Sequence, residues 1–321
     1  MKRIVVVGPG GVGGTVAALL AHKGECAVTV VGRPGAHVEA MGRSGLQMRG
    51  LREFTVEIEA VDHGGALREC DVLIIATKAQ HTEEALRATQ HLRVRDFVAS
   101  LQNGVVKDEI LSAAFGREKV VGALTVISAT RTAPGLIEWT FDGGNYLGEL
   151  DGSRSERVES FAALLRRAGL KVQASDSILP ITWAKMIGWT PLGLLATLSR
   201  QYNAGIVTNR MLAAQLVDVV RELSALAAAK GIPLIDFSLY HVETWCRGSV
   251  EEAVEDVLAS PLGKGQTAHS ALVDILRGHP TEFRACVGPM IEEAERLSVP
   301  LAGTRALYAA LMGLEDSLQK K

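Results

Sequence analysis

Residues 4–15 read Ile4-Val5-Val6-Val7-Gly8-Pro9-Gly10-Gly11-Val12-Gly13-Gly14-Thr15, and the fold follows from the change of character at Gly8. Four apolar, mostly β-branched residues predict a buried strand. Five glycines then fall between Gly8 and Gly14, and the stretch from Gly11 to Lys23 continues as a helix that Gly24 stops. In Gly8-x-Gly10-x-x-Gly13 the first glycine permits a tight turn and the second lets the backbone approach a diphosphate. The third lets helix and strand pack closely. Phosphate then meets the free N–H groups and the positive dipole end of the helix. Any glycine-rich turn can match such a string. The strand before it and the helix after it favour a dinucleotide turn, with Gly8, Gly10, Gly11, Val12 and Gly13 as its contacts.

Beyond this turn, Val28–Val31 predicts the second strand, Val72–Ala76 a buried strand leading to Thr77-Lys78, and Phe97–Leu101 another leading to Gln102-Asn103-Gly104. Strands alternating with helices predict a doubly wound, Rossmann-type α/β sheet, whose ligands bind at the carboxyl ends of the strands. Around Gly and Pro between Val120 and Leu150 the pattern becomes strand-like, with Leu136–Thr140 and Asn145–Gly148 forming an antiparallel extension. Glu156–Ala168 predicts a helix and Leu170–Val172 a short strand. Beyond Asp176 nearly everything predicts helix: Ile178–Leu198, Ala204–Lys230, Val250–Leu258, Ala268–Leu276, Phe283–Leu297 and a last one after Gly303. The expected division is residues 1–175 as a dinucleotide-binding domain and 176–321 as an all-α substrate and catalytic domain.

With 321 residues, 47% hydrophobic and 22% charged, the chain has ample material for two cores. A net charge of -2 argues against nucleic acid or anionic membranes as partners, which need a concentrated basic surface. Cys26, Cys70, Cys246 and Cys286 are far apart and show no metal or redox spacing, so a reducing cytoplasm is expected. Met1-Lys2-Arg3 before an apolar run mimics a secretory signal, but the glycines at 8–14 would weaken such a helix. No apolar run is long enough to span a bilayer. The histidines show no metal-ligand spacing, and no metal is expected. Arg166-Arg167 and Lys320-Lys321 are expected to be solvated charges.

The end of the second strand bears on the cofactor. An NAD site places a carboxylate there, about 20 residues after the fingerprint, whereas an NADP site places a cation for the 2′-phosphate. Here the residues are Val31-Gly32-Arg33-Pro34. The planar donor fork of Arg33 suits phosphate and favours NADPH; the alternative is a solvated loop arginine.

Taken jointly, Gly8–Gly13, Arg33, Thr77-Lys78-Ala79, Leu101-Gln102-Asn103-Gly104, Trp183-Ala184-Lys185, His269-Ser270-Ala271-Leu272-Val273-Asp274 and Arg277-Gly278-His279-Pro280-Thr281-Glu282 resemble the ketopantoate reductase family, in order and spacing, over nearly the whole chain. The resemblance implies NADPH-dependent reduction of a 2-oxo acid to a 2-hydroxy acid, with ketopantoate giving pantoate, in a cleft between the domains. It makes Lys185 the general acid, which fits the alkoxide character that hydride addition generates. It also implies that Glu282 contacts the substrate, that Ser270 binds its carboxylate, that Asn103 and Lys78 orient nicotinamide ribose and substrate, and that Asn203 serves the substrate end. Each has a plainer alternative. Lys185 could snorkel from a helix edge, Glu282 could cap a helix, Ser270 could be a buried helix serine, and Asn103-Gly104 could be a simple turn.

The resemblance fails at two places. Family members carry asparagines four and eight residues beyond the lysine, where this chain has Trp189 and Gly193, on the face of Lys185. Pro191 makes a local kink plausible. These changes leave two readings: a less polar 2-oxo acid with Trp189 and Gly193 at the substrate, or Trp189 packed inward where Gly193 leaves space. An imino acid substrate and a catalytically silent NADPH-binding regulator are further alternatives, and a homodimer is left open.

Overall fold

The structure, a computed structural model, describes residues 1–319; the Lys320-Lys321 pair lies outside the described residues. The chain divides into two compact units, Met1–Ile178 and Leu179–Lys321.

The first unit opens with β1 (Lys2–Val7), α1 (Gly11–Lys23), β2 (Cys26–Val31), α2 (Ala36–Ser44), β3 (Leu46–Gly50), β4 (Phe54–Val56) and β5 (Glu59–Val61). It continues through β6 (Glu69–Ile75), α3 (Thr82–Thr89), β7 (Arg93–Ser100), α4 (Lys107–Phe115), β8 (Val121–Ala133), β9 (Leu136–Glu149), α5 (Glu156–Ala168) and β10 (Val172–Ala174). Five strands form a parallel sheet in the order β5-β2-β1-β6-β7. Val6, Val30, Val72, Leu73 and Val98 are completely buried in it. Burial on both faces is why these strands read as unbroken apolar runs. Val7 pairs with Val31 and with Ile75, and Ile75 with Ser100, so four strands end on one edge of the sheet.

The expected antiparallel extension is a second sheet of its own, ordered β10-β9-β3-β4 with β8 on β9. Its two predicted pieces belong to the single strand β9, antiparallel to β8 but parallel to β3 and β10. Helix α1 packs against both sheets. A Cβ on Gly11 would come within 1.9 Å of the Ala129 carbonyl oxygen on β8, so this approach requires glycine. On α5, Ser155 caps the first turn by accepting from the Val158 N–H, and Gly169 ends the helix in the left-handed region.

The second unit is helical: α6 (Ile178–Ser199) opens at the boundary, followed by α7 (Asn203–Val207), α8 (Arg210–Ala229), α9 (Val242–Cys246) and α10 (Val250–Leu258). Then come α11 (Ser270–Leu276), α12 (Phe283–Cys286), α13 (Gly288–Arg296) and α14 (Ala302–Gln319). Two helices predicted as continuous are divided. Asn209 accepts from the Met211 and Leu212 N–H groups and starts α8 afresh, and Pro289 sits in the first turn of α13. Conversely, α6 runs as one helix through Pro191. Central helix α8 packs on α9, α10 and α14, and its Glu222 accepts from the Gly303 and Thr304 N–H groups, both at 2.8 Å, seating the start of α14. No helix among the described residues is long and apolar enough to cross a membrane.

Candidate active site

The predicted site residues fall in both units. In the first, the Gly8–Gly13 turn leaves β1 with the Gly8 N–H donating to Val31 and Gly8 at φ +89°, a conformation that favours glycine. A Cβ on Gly8 would meet Thr77 at 2.7 Å, and one on Gly13 would meet the Gly8 carbonyl oxygen at 2.3 Å. A Cβ on Gly10, by contrast, would meet nothing within 4 Å. The turn is thus closed on the protein side and open at Gly10, the position at which a dinucleotide fingerprint calls for bare backbone. Helix α1 begins there with no side-chain cap and no acidic residue in its first turn. These features fit a dinucleotide phosphate.

Beside it, the strand-end loops after β6 and β7 are tied together by Gln102, which is buried. Its amide nitrogen donates to Thr77 Oγ1 and Thr82 Oγ1, both at 3.0 Å, and to the Lys78 carbonyl at 3.3 Å. Its Oε1 accepts from Ser100 at 3.0 Å. Lys78 is exposed and Asn103 half-buried, each one residue from an anchored group. Gly104, at φ +106°, makes the turn that follows. Arg33 is exposed past the end of β2 and forms an ion pair with Glu84 on α3.

One residue outside the predicted set also shapes this region. His37 Nε2 lies 2.6 Å from the Pro9 carbonyl oxygen, and its Nδ1 accepts from the Gly135 N–H at 2.8 Å. These partners require the neutral ring with its proton on Nε2. Burial, foremost, holds its pKa below the usual histidine value. His37 therefore ties the glycine turn to the β8–β9 hairpin. Its partners are 28 and 98 residues away, so no local spacing signals the role.

In the second unit, α6 is buried at every position from Ile181 to Thr197 except Lys185, which is half-buried. The Lys185 charge pulls down the pKa of the His269 ring and opposes the rise of the Cys286 thiol, while Glu282 reinforces that rise. Lys185, His269, Glu282 and Cys286 thus converge from three separate segments. Burial is the dominant cause at both His269 and Cys286; it drives the His269 pKa down to about 3 and leaves a neutral ring. Its Nδ1 accepts from the Ala271 N–H at 3.2 Å, making His269 the cap of α11. Its Nε2 is buried and makes no well-directed hydrogen bond among the described residues, although the Trp189 carbonyl favours a proton on the ring.

The surroundings of the remaining candidates are as follows. Ser270 is exposed, not a buried helix serine. Glu282 does not cap α12: the Phe283 N–H donates to Thr281 Oγ1 at 3.2 Å, and buried Glu315 accepts from the Thr281 N–H at 3.0 Å. Asn203 is tied by its N–H to the Thr267 carbonyl at 3.0 Å, near the segment carrying Ser270, and its Oδ1 is buried without a partner among the described residues. Trp189 is 7% exposed, stacked on Phe283 at 4.9 Å and tilted against His269 at 4.7 Å. Gly193 leaves its space to His269: a Cβ there would come within 2.3 Å of Cε1. Both positions thus pack against His269 inside the second unit. No cluster of metal ligands occurs among the described residues.

Comparison with known proteins follows the same division. Residues 4–152 match the family described as "Ketopantoate reductase PanE/ApbA", and residues 177–315 match "Ketopantoate reductase PanE/ApbA C terminal". The 2-dehydropantoate 2-reductase of Pyrococcus horikoshii is 31% identical over 98% of both chains. The crystal structure of 2-dehydropantoate 2-reductase from Methylococcus capsulatus superposes with a TM-score of 0.82 at 26% identity, covering 99% of this chain and 98% of that one. The ternary structure of D-mandelate dehydrogenase with NADH and anilino(oxo)acetate shares the fold, with a TM-score of 0.86 at 21% identity over 99% of both chains.

Proposed function

The chain belongs to the ketopantoate reductase family of oxidoreductases acting on CH–OH groups, and we propose that its own reaction is the NADPH-dependent reduction of 2-dehydropantoate to pantoate. The observation that carries the catalytic assignment is Lys185: one lysine half-exposed on an otherwise buried stretch of helix, in electrostatic range of the same thiol as Glu282. The likeness to the Pyrococcus horikoshii reductase along the whole chain supports the substrate. Inward packing of Trp189 and Gly193 supports it too, because Trp189 is then part of the wall and gives no reason to assign a less polar acid.

When bound, the reduced nicotinamide supplies a hydride to the carbonyl carbon of the 2-oxo acid. The negative charge that develops on the carbonyl oxygen is met by the Lys185 ammonium, which then gives it a proton. Partial exposure lets the resulting amine recover its proton from water. Glu282 orients substrate and lysine, the exposed Ser270 hydroxyl donates to the substrate carboxylate, and Asn203 serves the far end. In the first unit the glycine turn would hold the diphosphate, Lys78 and Asn103 would orient the nicotinamide ribose and the substrate, and Arg33 would take the 2′-phosphate.

The test follows oxidation of NADPH and of NADH against 2-dehydropantoate and a panel of apolar branched 2-oxo acids. Pantoate formation with a clear preference for 2-dehydropantoate is expected. A preference for an apolar acid would overturn the substrate assignment, and cofactor binding without turnover of any acid would overturn the enzymatic one.

A further inference from the structure

Arg33 meets its ligand already partnered. Its Nε donates to Glu84 Oε1 at 2.9 Å and its Nη2 donates to Oε2, so one edge of the guanidinium is taken by a carboxylate. The residues are 51 positions apart, and the fold, not helix periodicity, makes the pair. Glu84 lies in the first turn of α3, and His81, the residue before that helix, has its Nδ1 3.8 Å from Glu84 Oε2. Burial, then the charges of Arg33 and Lys78, keep that ring below the usual histidine pKa. The Arg33 hydrogen bond holds the Glu84 carboxyl below the usual carboxylate range. At neutral pH Glu84 is an anion and Arg33 is its main counter-charge.

A guanidinium presents to a carboxylate the same paired donors that it presents to a phosphate. A 2′-phosphate reaching Arg33 meets one occupied edge and a like charge beside it. A free ribose 2′-hydroxyl is instead a donor, and a carboxylate is the acceptor that dinucleotide sites use for it. We infer that Glu84 is a specificity-determining residue, which moderates Arg33 and keeps the preference for the 2′-phosphorylated dinucleotide below what Arg33 alone would give, so that NADH remains a usable ligand. The inference rests on the reading that Arg33 receives the adenosine ribose. Because both side chains are about half exposed, water and salt screen the effect. An exposed pair changes affinity by up to about 5-fold.

The test is the dissociation constant of NADPH and of NADH, measured by calorimetry on the full chain and on Glu84→Gln, Glu84→Ala and Arg33→Ala. Glu84→Gln keeps one acceptor oxygen for Arg33 and removes the charge together with the second acceptor. It is expected to tighten NADPH by up to about 5-fold and to leave NADH unchanged or weaker, a gain that disappears when Arg33→Ala is added. Suppose Arg33→Ala lowers the preference for NADPH, but the Glu84 variants weaken NADPH or leave the ratio unchanged. Then Glu84 merely props Arg33, and the inference is overturned with the cofactor reading intact. If Arg33→Ala itself leaves the ratio unchanged, the cofactor reading fails and this inference fails with it.

Discussion

The glycine turn of the first unit and the lysine cluster of the second are built in opposite ways. On the proposed reading the turn works through main-chain N–H groups, and its shape is set by glycines within six consecutive positions. On the proposed reading the cluster works through side chains delivered from α6, from the cap of α11 and from the segment before α12, and it exists only once those helices pack. A site made of backbone is fixed by local sequence and is sensitive to any added Cβ. A site made of side chains is fixed by tertiary packing, and its chemistry is removed one residue at a time.

The largest effect that tests this contrast is on turnover. Lys185→Ala should lower kcat by about 10²- to 10⁴-fold, the usual contribution of a positioned general acid. The dissociation constant for NADPH, measured by calorimetry, should stay within about twofold, because the turn makes its contacts without this lysine. A loss of binding equal to the loss of turnover would erase the division of labour.

Within the turn, the two glycines should separate folding from binding. Gly13→Ala puts a methyl group against the Gly8 carbonyl and the Ala76 side chain, and overpacking of that kind costs about 1–3 kcal/mol by denaturant unfolding. Gly10→Ala meets no protein atom and has φ -78°, which alanine adopts freely, so stability should change by less than about 0.5 kcal/mol. Its methyl nevertheless occupies the open face, and NADPH binding should weaken about tenfold or more. Unimpaired binding by Gly10→Ala would remove the phosphate from this face. Gln102→Leu tests the clamp beside the turn. It leaves Thr77 and Thr82 without their buried partner, at about 1–3 kcal/mol, and should raise the KM for the 2-oxo acid through the loosened Lys78 and Asn103 loops.

The same contrast decides what could be read in the sequence. Helix α1 was legible to the residue because Gly11 and Gly24 mark its ends, and so were α5 and α10, with serine caps and, at Gly169, a left-handed stop. The break before α8 was not, because apolar periodicity runs on through it and only the Asn209 side chain diverts the backbone. Short polar elements such as α3 carry too few apolar residues for a period to show. In the site, the glycines and Arg33 announce themselves locally. Lys185 stands out only against the family pattern, and nothing near it predicts the ring of His269 over Gly193. His37 and Glu84 were illegible because their partners lie far away in sequence.

The smallest of these effects compares the two neutral histidines. The pKa of His269 falls from an ordinary 6.5 to about 3 on folding because burial disfavours its charged form. The unfolded chain therefore binds a proton that the native chain refuses. Its contribution is intact above the unfolded pKa, declines as pH falls below 6.5, and is fully lost once pH reaches about 3. Between pH 6.5 and about 5.5 this single ring should remove about 1 kcal/mol of unfolding free energy. His269→Asn keeps an acceptor for the Ala271 N–H but does not titrate. Its absolute stability will fall with the lost contact to Trp189, so the readout is the slope of unfolding free energy against pH, which should flatten by that amount. His37 shifts in the same direction, but its proton is set by two main-chain partners in the turn. Replacing His37 by Asn should therefore change the pH dependence of NADPH affinity, whereas replacing His269 should leave that profile as it was. Equal responses of the binding profile to both replacements would show that the two regions are not independent.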